Sequence, residues 1–226
     1  MDTQTYDPAP IGKIEIPRQF AQLFIPVLDG SGSMKEQAAG NVSKAQATNG
    51  AVRGLLTRMK VSRVAPNFDC GLITFDSAPT VVVPVQSLAS VDDNGDYDPL
   101  RNHGGGTCIY AALEEAERMV ADYLAKEPPG GVSHQAVVIV MSDGCCSKPA
   151  RTRQVADRIK ATHGNKVTIA CTLFGTIGQV DVAGEELLRE IATDPVRYYK
   201  TVYDAETLRQ FMLASVTAAS GTALLL

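Results

Sequence analysis

The sequence predicts an α/β fold: a doubly wound, mostly parallel central sheet of about six strands, with one antiparallel edge strand and helices on both faces. Three observations carry this. Short apolar runs alternate with longer segments of helical period along most of the chain. Two of the runs, residues 136–141 and 167–174, are almost continuously apolar, as in strands buried on both faces. Two others, residues 70–75 and 80–85, are separated only by Asp76-Ser77-Ala78-Pro79, a link short enough to require a hairpin.

Residues 1–20 read as an N-terminal arm, with Pro8, Pro10 and Pro17 among polar residues. Within it Ile14 and Ile16 alternate with Lys13 and Glu15, as in a short edge strand. Residues 21–222 form the domain and 223–226 a tail. The first strand is residues 23–28, in which Pro26 removes a ladder donor. Residues 35–60 are mostly helical, with Val42, Val52, Leu55, Leu56 and Met59 as the buried stripe. Gly40, Gly50 and Gly54 weaken that helix and point to close packing or a bend. Residues 86–106 are a polar loop ending in three glycines. Residues 107–125 place Leu113, Ala116, Val120, Tyr123 and Leu124 at helical spacing, before the break at Pro128-Pro129-Gly130-Gly131. Helices at 150–162, 184–192 and 205–219 and a short strand at 197–201 complete the alternation.

The composition suits one globular domain: 226 residues, 45% hydrophobic and 20% charged. A net charge of −4 provides no basic footprint for nucleic acid, and the absence of Trp argues against a base-stacking platform. No apolar stretch reaches the ~18 residues of a membrane span. The N-terminus has no basic segment before an apolar run, so no secretory signal is read there. The odd count of five cysteines fits a reducing compartment, and the expected location is the cytoplasm. Cys70 and Cys171 fall in apolar runs and read as core thiols. Cys145-Cys146, with His103 or His163, matches no standard zinc spacing, so two reduced thiols are the preferred reading.

The chemistry gathers at strand ends. Asp29-Gly30-Ser31-Gly32-Ser33 follows the first strand, Gly104-Gly105-Gly106-Thr107 precedes a helix, and Ser142-Asp143-Gly144 follows a buried strand. Asp29, Ser31 and Ser33 stand at i, i+2 and i+4, so one turn can present three oxygens to one centre. Thr107 adds a hydroxyl and Asp143 a second carboxylate. Oxygen donors of this kind suit Mg²⁺, with Mn²⁺ or Ca²⁺ as alternatives. An incompletely neutralised ion favours a Glu or Asp from another protein in its open position. Each segment alone also has a plain reading, as a helix cap or a turn. Ligands of parallel sheets sit beyond the carboxyl ends of the strands, which places Asp29 and Asp143 on one edge. Gly30, Gly106, Gly144 and His103 form the expected partner-binding rim. No catalytic base stands beside these residues, so the site reads as non-catalytic. The rival reading, a Mg²⁺-dependent phosphatase-like enzyme, needs a second Asp two residues after Asp29, where Ser31 stands. The loop residues Asp92, Asn94, Asp96 and Asp98 read as a solvated acidic loop. They do not read as a calcium site, because the glycine is early and the closing Glu missing. Residues 148–153 form a short basic patch suited to an acidic partner.

Asp29-x-Ser31-x-Ser33, Thr107 and Asp143 together resemble the metal-ion-dependent adhesion site of von Willebrand factor A domains, in residue type and order. The resemblance covers nearly all of residues 21–222. Leu72-Ile73-Thr74-Phe75-Asp76-Ser77 before a Val-rich strand, and the closing segment from Phe211 to Gly221, are similar to the bacterial TerY-like branch. That branch is associated with tellurium resistance and stress operons. The resemblance implies a cytoplasmic interaction module working beside a metal-dependent protein phosphatase and a protein kinase. Some relatives carry a cysteine-rich zinc segment that this sequence lacks.

Overall fold

The computed structural model describes residues 18–144, 146–179 and 181–221. The expected edge strand around Ile14 and Ile16 lies outside them. Among the described residues six strands form one sheet: β1 (Phe20–Asp29), β2 (Phe68–Phe75), β3 (Pro79–Ser87), β4 (Ser133–Ser142), β5 (Val167–Phe174) and β6 (Tyr199–Val202). Their order is β3-β2-β1-β4-β5-β6, and every pairing is parallel except β2 with β3. The helices are α1 (Lys44–Lys60), α2 (Ile109–Leu124), α3 (Pro149–His163), α4 (Val182–Ile191), the short α5 (Pro195–Tyr198) and α6 (Ala205–Ser220).

Alternation along the central strands divides the core in two. Phe24, Leu28, Val137, Ile139 and Met141 face α1 and α6. Leu23, Ile25, Val27, Val138 and Val140 face α2, α3 and α4. Both faces are therefore covered, which explains why these strands read as unbroken apolar runs. The chain builds β1, β2 and β3 outward in one direction, then returns to place β4 on the other side of β1. The crevice between the carboxyl ends of β1 and β4 is the topological switch point, where open sheets of this kind hold ligands.

Pro26 is accommodated on one side only. The β1–β4 ladder runs unbroken from Phe20 to Leu28, with Pro26 opposite Ile139. The β1–β2 ladder pairs Phe24 with Cys70 and Val27 with Ile73 but leaves out Ile25 and Pro26. The β2–β3 register shifts beside the same point, between Cys70 and Ile73. The missing donor is thus absorbed where the ladder is already irregular. Among the described residues neither sheet edge is long and flat. β3 carries Pro79 and Pro84 and the register shift, and β6 has four residues.

Two expectations are corrected. Helix α1 starts at Lys44 rather than near residue 35, because Gly40 (φ +91°) and Asn41 (φ +60°) turn the chain in the left-handed region. Ser43 then caps the helix reciprocally with Gln46: Ser43 Oγ accepts from Gln46 N at 3.1 Å, and Gln46 Oε1 accepts from Ser43 N at 3.0 Å. Val42 consequently lies before the helix and is exposed. Of the glycines in this region, Gly54 is the close-packed one, with the Arg209 side chain of α6 against it.

The acidic loop is not free in solvent. Asp92, Asp96 and Asp98 each accept a backbone N–H two residues on, and Asp93 accepts from Thr57 Oγ1 and Lys60 Nζ on α1. Leu88, Val91 and Tyr97 are buried beneath it, so the segment is a packed strap across α1. Its polar sequence conceals three apolar anchors.

Candidate metal centre at the switch point

Asp29 ends β1 beside Ser142, the last residue of β4. Its Oδ1 accepts from Ser31 N at 2.8 Å and its Oδ2 from Ser142 Oγ at 2.6 Å. Ser31 Oγ and Ser33 Oγ lie 3.1 Å apart, and Ser33 Oγ donates to Asp143 Oδ1 at 2.7 Å. Four of the five expected ligands, Asp29, Ser31, Ser33 and Asp143, are therefore joined through one turn and one strand end. Thr107 is half-buried on the neighbouring loop and is not part of that hydrogen-bonded chain. Its backbone ties the two sides together, since Ser147 N donates to Thr107 O at 2.9 Å and Gly32 N donates to Gly105 O at 3.2 Å.

The expected rim residues differ in what they do. Gly30 is wedged against Pro99 and His103, Gly106 N donates to Ser77 Oγ at 3.2 Å, and Gly144 lies near Asp181. His103 is tucked beneath the rim rather than on it. Its side chain is 4% exposed, with Nε2 at 2.9 Å from Thr74 Oγ1 and Nδ1 at 3.2 Å from Asp76 Oδ1. It is a strut under the glycine loop rather than a surface group. Asp76 holds the same loop, accepting from Gly104 N and Gly105 N at 3.2 and 3.0 Å while closing the hairpin through Ala78 N. Burial opposes the Asp76 charge, but the hydrogen bonds from Gly105, Ala78 and His103 outweigh it and lower the carboxyl to about 2.

Asp29 is fully buried. Burial pushes its carboxyl up to about 6, with the Asp143 charge adding to the rise and the hydrogen bonds from Ser142 and Ser31 opposing it. Asp29 itself has no cationic side chain among the described contacts, a charge that a hard cation would supply. The donor set is all oxygen and fits such an ion. Among the described residues no group of three or more His, Cys, Asp or Glu forms a rival cage.

Two site residues escaped the sequence reading. Ser142 was treated as part of a turn, yet it is the donor that fixes Asp29. Lys44 has no part in the sequence reading, yet its side chain is 3% exposed and its Nζ lies 3.0 Å from both Asp143 Oδ2 and Glu36 Oε2. Burial disfavours the ammonium, and Asp143 and Glu36 more than offset that, raising its pKa. The signal was present in the pattern: Lys44 shares the face of Thr48, Val52 and Leu55, and a lysine in the first helical turn opposes the helix dipole. The basic patch, by contrast, is largely satisfied internally. Arg151 pairs with Glu114 and lies over the Tyr110 ring, and Arg153 pairs with Glu190. Of the paired cysteines, Cys146 is buried beside Thr152, and Cys145 lies outside the described residues.

Comparison with solved structures returns the same architecture. The pilus adhesin SpaC from Lactobacillus rhamnosus GG aligns with a TM-score of 0.67 at 12% identity, over 89% of this chain and 30% of the adhesin. BatB from Bacteroides thetaiotaomicron aligns at 0.59 with 17% identity, over 89% of this chain and 100% of that protein. Proximal thread matrix protein 1 from the mussel byssus, in a form with a zinc-occupied MIDAS motif, aligns at 0.57 with 19% identity, over 91% of this chain and 47% of that one. The chain thus spans less than half of the adhesin and of the mussel protein. No curated protein matches the sequence. The sequence profile of the von Willebrand factor type A domain matches residues 24–145, from the first strand through the Asp143 turn, and the chain belongs to that family.

Proposed function

We propose that this chain is a non-catalytic interaction module that binds an acidic side chain of a partner protein through a divalent ion, Mg²⁺ in the first instance. The observation that carries this reading is the convergence of Asp29, Ser31, Ser33 and Asp143 at the switch point. The residues that would hold the ion are these four, with Thr107 from the adjoining loop. When bound, the ion supplies an electrophilic coordination position for a carboxylate oxygen. The protein's own part is to fix the ligands: Ser142 orients Asp29, Ser33 orients Asp143, and Asp76 and His103 hold the glycine loop that carries Thr107. No side chain in this set is placed as a nucleophile with its base, which favours binding over turnover.

The loop after β5 flanks the same edge. Thr176 Oγ1 lies 3.4 Å from Glu36 Oε2, and Ile177 in this loop and Val182 at the start of α4 are exposed apolar residues, suited to the surroundings of a carboxylate anchor. Among the described residues no helix is long and apolar enough to cross a membrane. On the segment from Leu72 to Ser77 and the closing helix we place the chain in the TerY-like branch, in a cytoplasmic stress-response or signalling complex with a protein phosphatase or kinase. Neither nucleic acid nor membrane is proposed as a partner.

Calorimetric titration with Mg²⁺ and Mn²⁺, and affinity capture with Mg²⁺ or with excess chelator, test the reading. Metal binding and metal-dependent capture are expected for the wild type and lost in Asp29→Ala. Capture that persists in chelator, or in Asp29→Ala, would rule it out.

A further inference from the structure

Lys44 brings a positive charge into a site built for a cation. Its ammonium reaches the centre from the first turn of α1 and is almost completely buried. It lies between a fully buried acceptor, Asp143 Oδ2, and a carboxylate whose side chain is 55% exposed, Glu36 Oε2, each at 3.0 Å. The backbone clamps the same residues, because Lys44 N donates to Glu36 O at 2.9 Å. Asp143 Oδ1 is taken by Ser33. The charge of Asp143 is therefore already compensated, and of the two site carboxylates only Asp29 remains without a cationic partner among the described contacts.

We propose that Lys44 is a resident counter-cation: it competes with the divalent ion for Asp143, and Glu36 is the alternative anchor that receives its ammonium when the ion enters. The inference rests on the metal reading above and adds a regulator of affinity to it. Two consequences follow from electrostatics alone. With Lys44 in place the ion is held weakly and is poorly neutralised, so an incoming carboxylate gains more from joining it. With Glu36 neutralised, the ammonium has only Asp143 to pair with and opposes the ion more strongly. Removing a unit positive charge a few ångströms from a divalent ion near solvent corresponds to about tenfold or more in affinity.

The test is calorimetric titration of the full chain with Mn²⁺, supported by the thermal midpoint with and without the ion. Lys44→Met and Lys44→Gln should bind Mn²⁺ about tenfold or more tightly than the wild type. Their ion-free forms should melt lower and gain more from the ion, because Asp143 loses its resident partner. Lys44→Arg, which keeps the charge, should stay close to the wild type. Glu36→Gln should weaken binding, and the effect should largely vanish in a Lys44→Met background, where no ammonium remains to be redirected. Unchanged or weaker binding in both Lys44→Met and Lys44→Gln would overturn the proposal, as would an equal Glu36→Gln effect in the two backgrounds. Asp29→Ala separates the two levels of argument. Binding that survives Asp29→Ala refutes the metal site itself, whereas binding that is lost in Asp29→Ala yet indifferent to Lys44 refutes only the role of the lysine. If neither the wild type nor Lys44→Met binds Mn²⁺, both fall.

Discussion

Gly30 gives the sharpest test of how the site is held. A Cβ built there would stand 2.0 Å from Pro99 O and 2.9 Å from His103 Cβ. The obstacle is backbone, so no rotamer change relieves it. Relief means displacing the strap near Pro99 by about 1 Å or more, against a buried core. That strap is fastened by Tyr97 N, which donates to Asn49 Oδ1 of α1 at 2.9 Å, and by the His103 ring to Thr74 and Asp76. Gly30→Ala is therefore expected to cost about 3 kcal/mol, at the upper end of overpacking penalties. For a domain of this size that lowers the melting midpoint by about 6–12 °C. Gly50 is the internal control: it sits exposed in α1 with nothing within 4 Å of an added Cβ. Gly50→Ala should gain about 0.5–1 kcal/mol from helix propensity alone. Urea and thermal unfolding followed by far-UV circular dichroism read both. A Gly30→Ala protein as stable as the wild type would show that the strap does not press on the Asp29 turn.

Other outcomes follow from the same contacts. Ser142→Ala removes the donor to a buried carboxylate oxygen and should cost about 1–3 kcal/mol in urea melts, with no change expected if Asp29 is fixed otherwise. The Asp76 carboxyl is held at about 2, below its ordinary value near about 4, so its folded-state advantage is full above that ordinary value and fades as pH falls through the folded one. The stability gap between the wild type and Asp76→Ala should therefore shrink between about pH 4 and about pH 2. A gap that is constant over that range contradicts the assignment. Burial pushes the Cys70 and Cys171 thiols up, so both should resist alkylation until the protein unfolds, while half-buried Cys108 reacts in the native state. Peptide mass mapping after a timed pulse of iodoacetamide distinguishes them.

The layout of the sheet was legible because burial on both faces writes itself as unbroken apolar runs, and because the link at 76–79 allows nothing but a hairpin. Asp29 and Asp143 were legible for the same reason: each follows such a run directly, so the strand end dates the turn. Helix starts were less so. The pattern of residues 35–60 does not reveal that residues 40 and 41 turn left-handed, a property of backbone sterics rather than of hydrophobic period. Loops hid most. Asp92 to Asp98 look solvated because their side chains are polar, yet they satisfy their own backbone while Leu88, Val91 and Tyr97 bury beneath them. Lys44 was hidden by its type, since lysines usually belong to water. Only its phase with Thr48 and Val52 betrayed it.

The two ends of the sheet bear on how another molecule can approach. A strand with prolines at both its start and its middle, and another of four residues, offer little continuous backbone for an incoming chain to zip onto. Strand addition, one way for a sheet to recruit an extended peptide, is thereby disfavoured at both margins of the described sheet. Self-association into a continuous ribbon is discouraged by the same means. The crest above β1 and β4, by contrast, offers loops and side-chain oxygens rather than a naked peptide ladder, so contact there would be from the top and end-on.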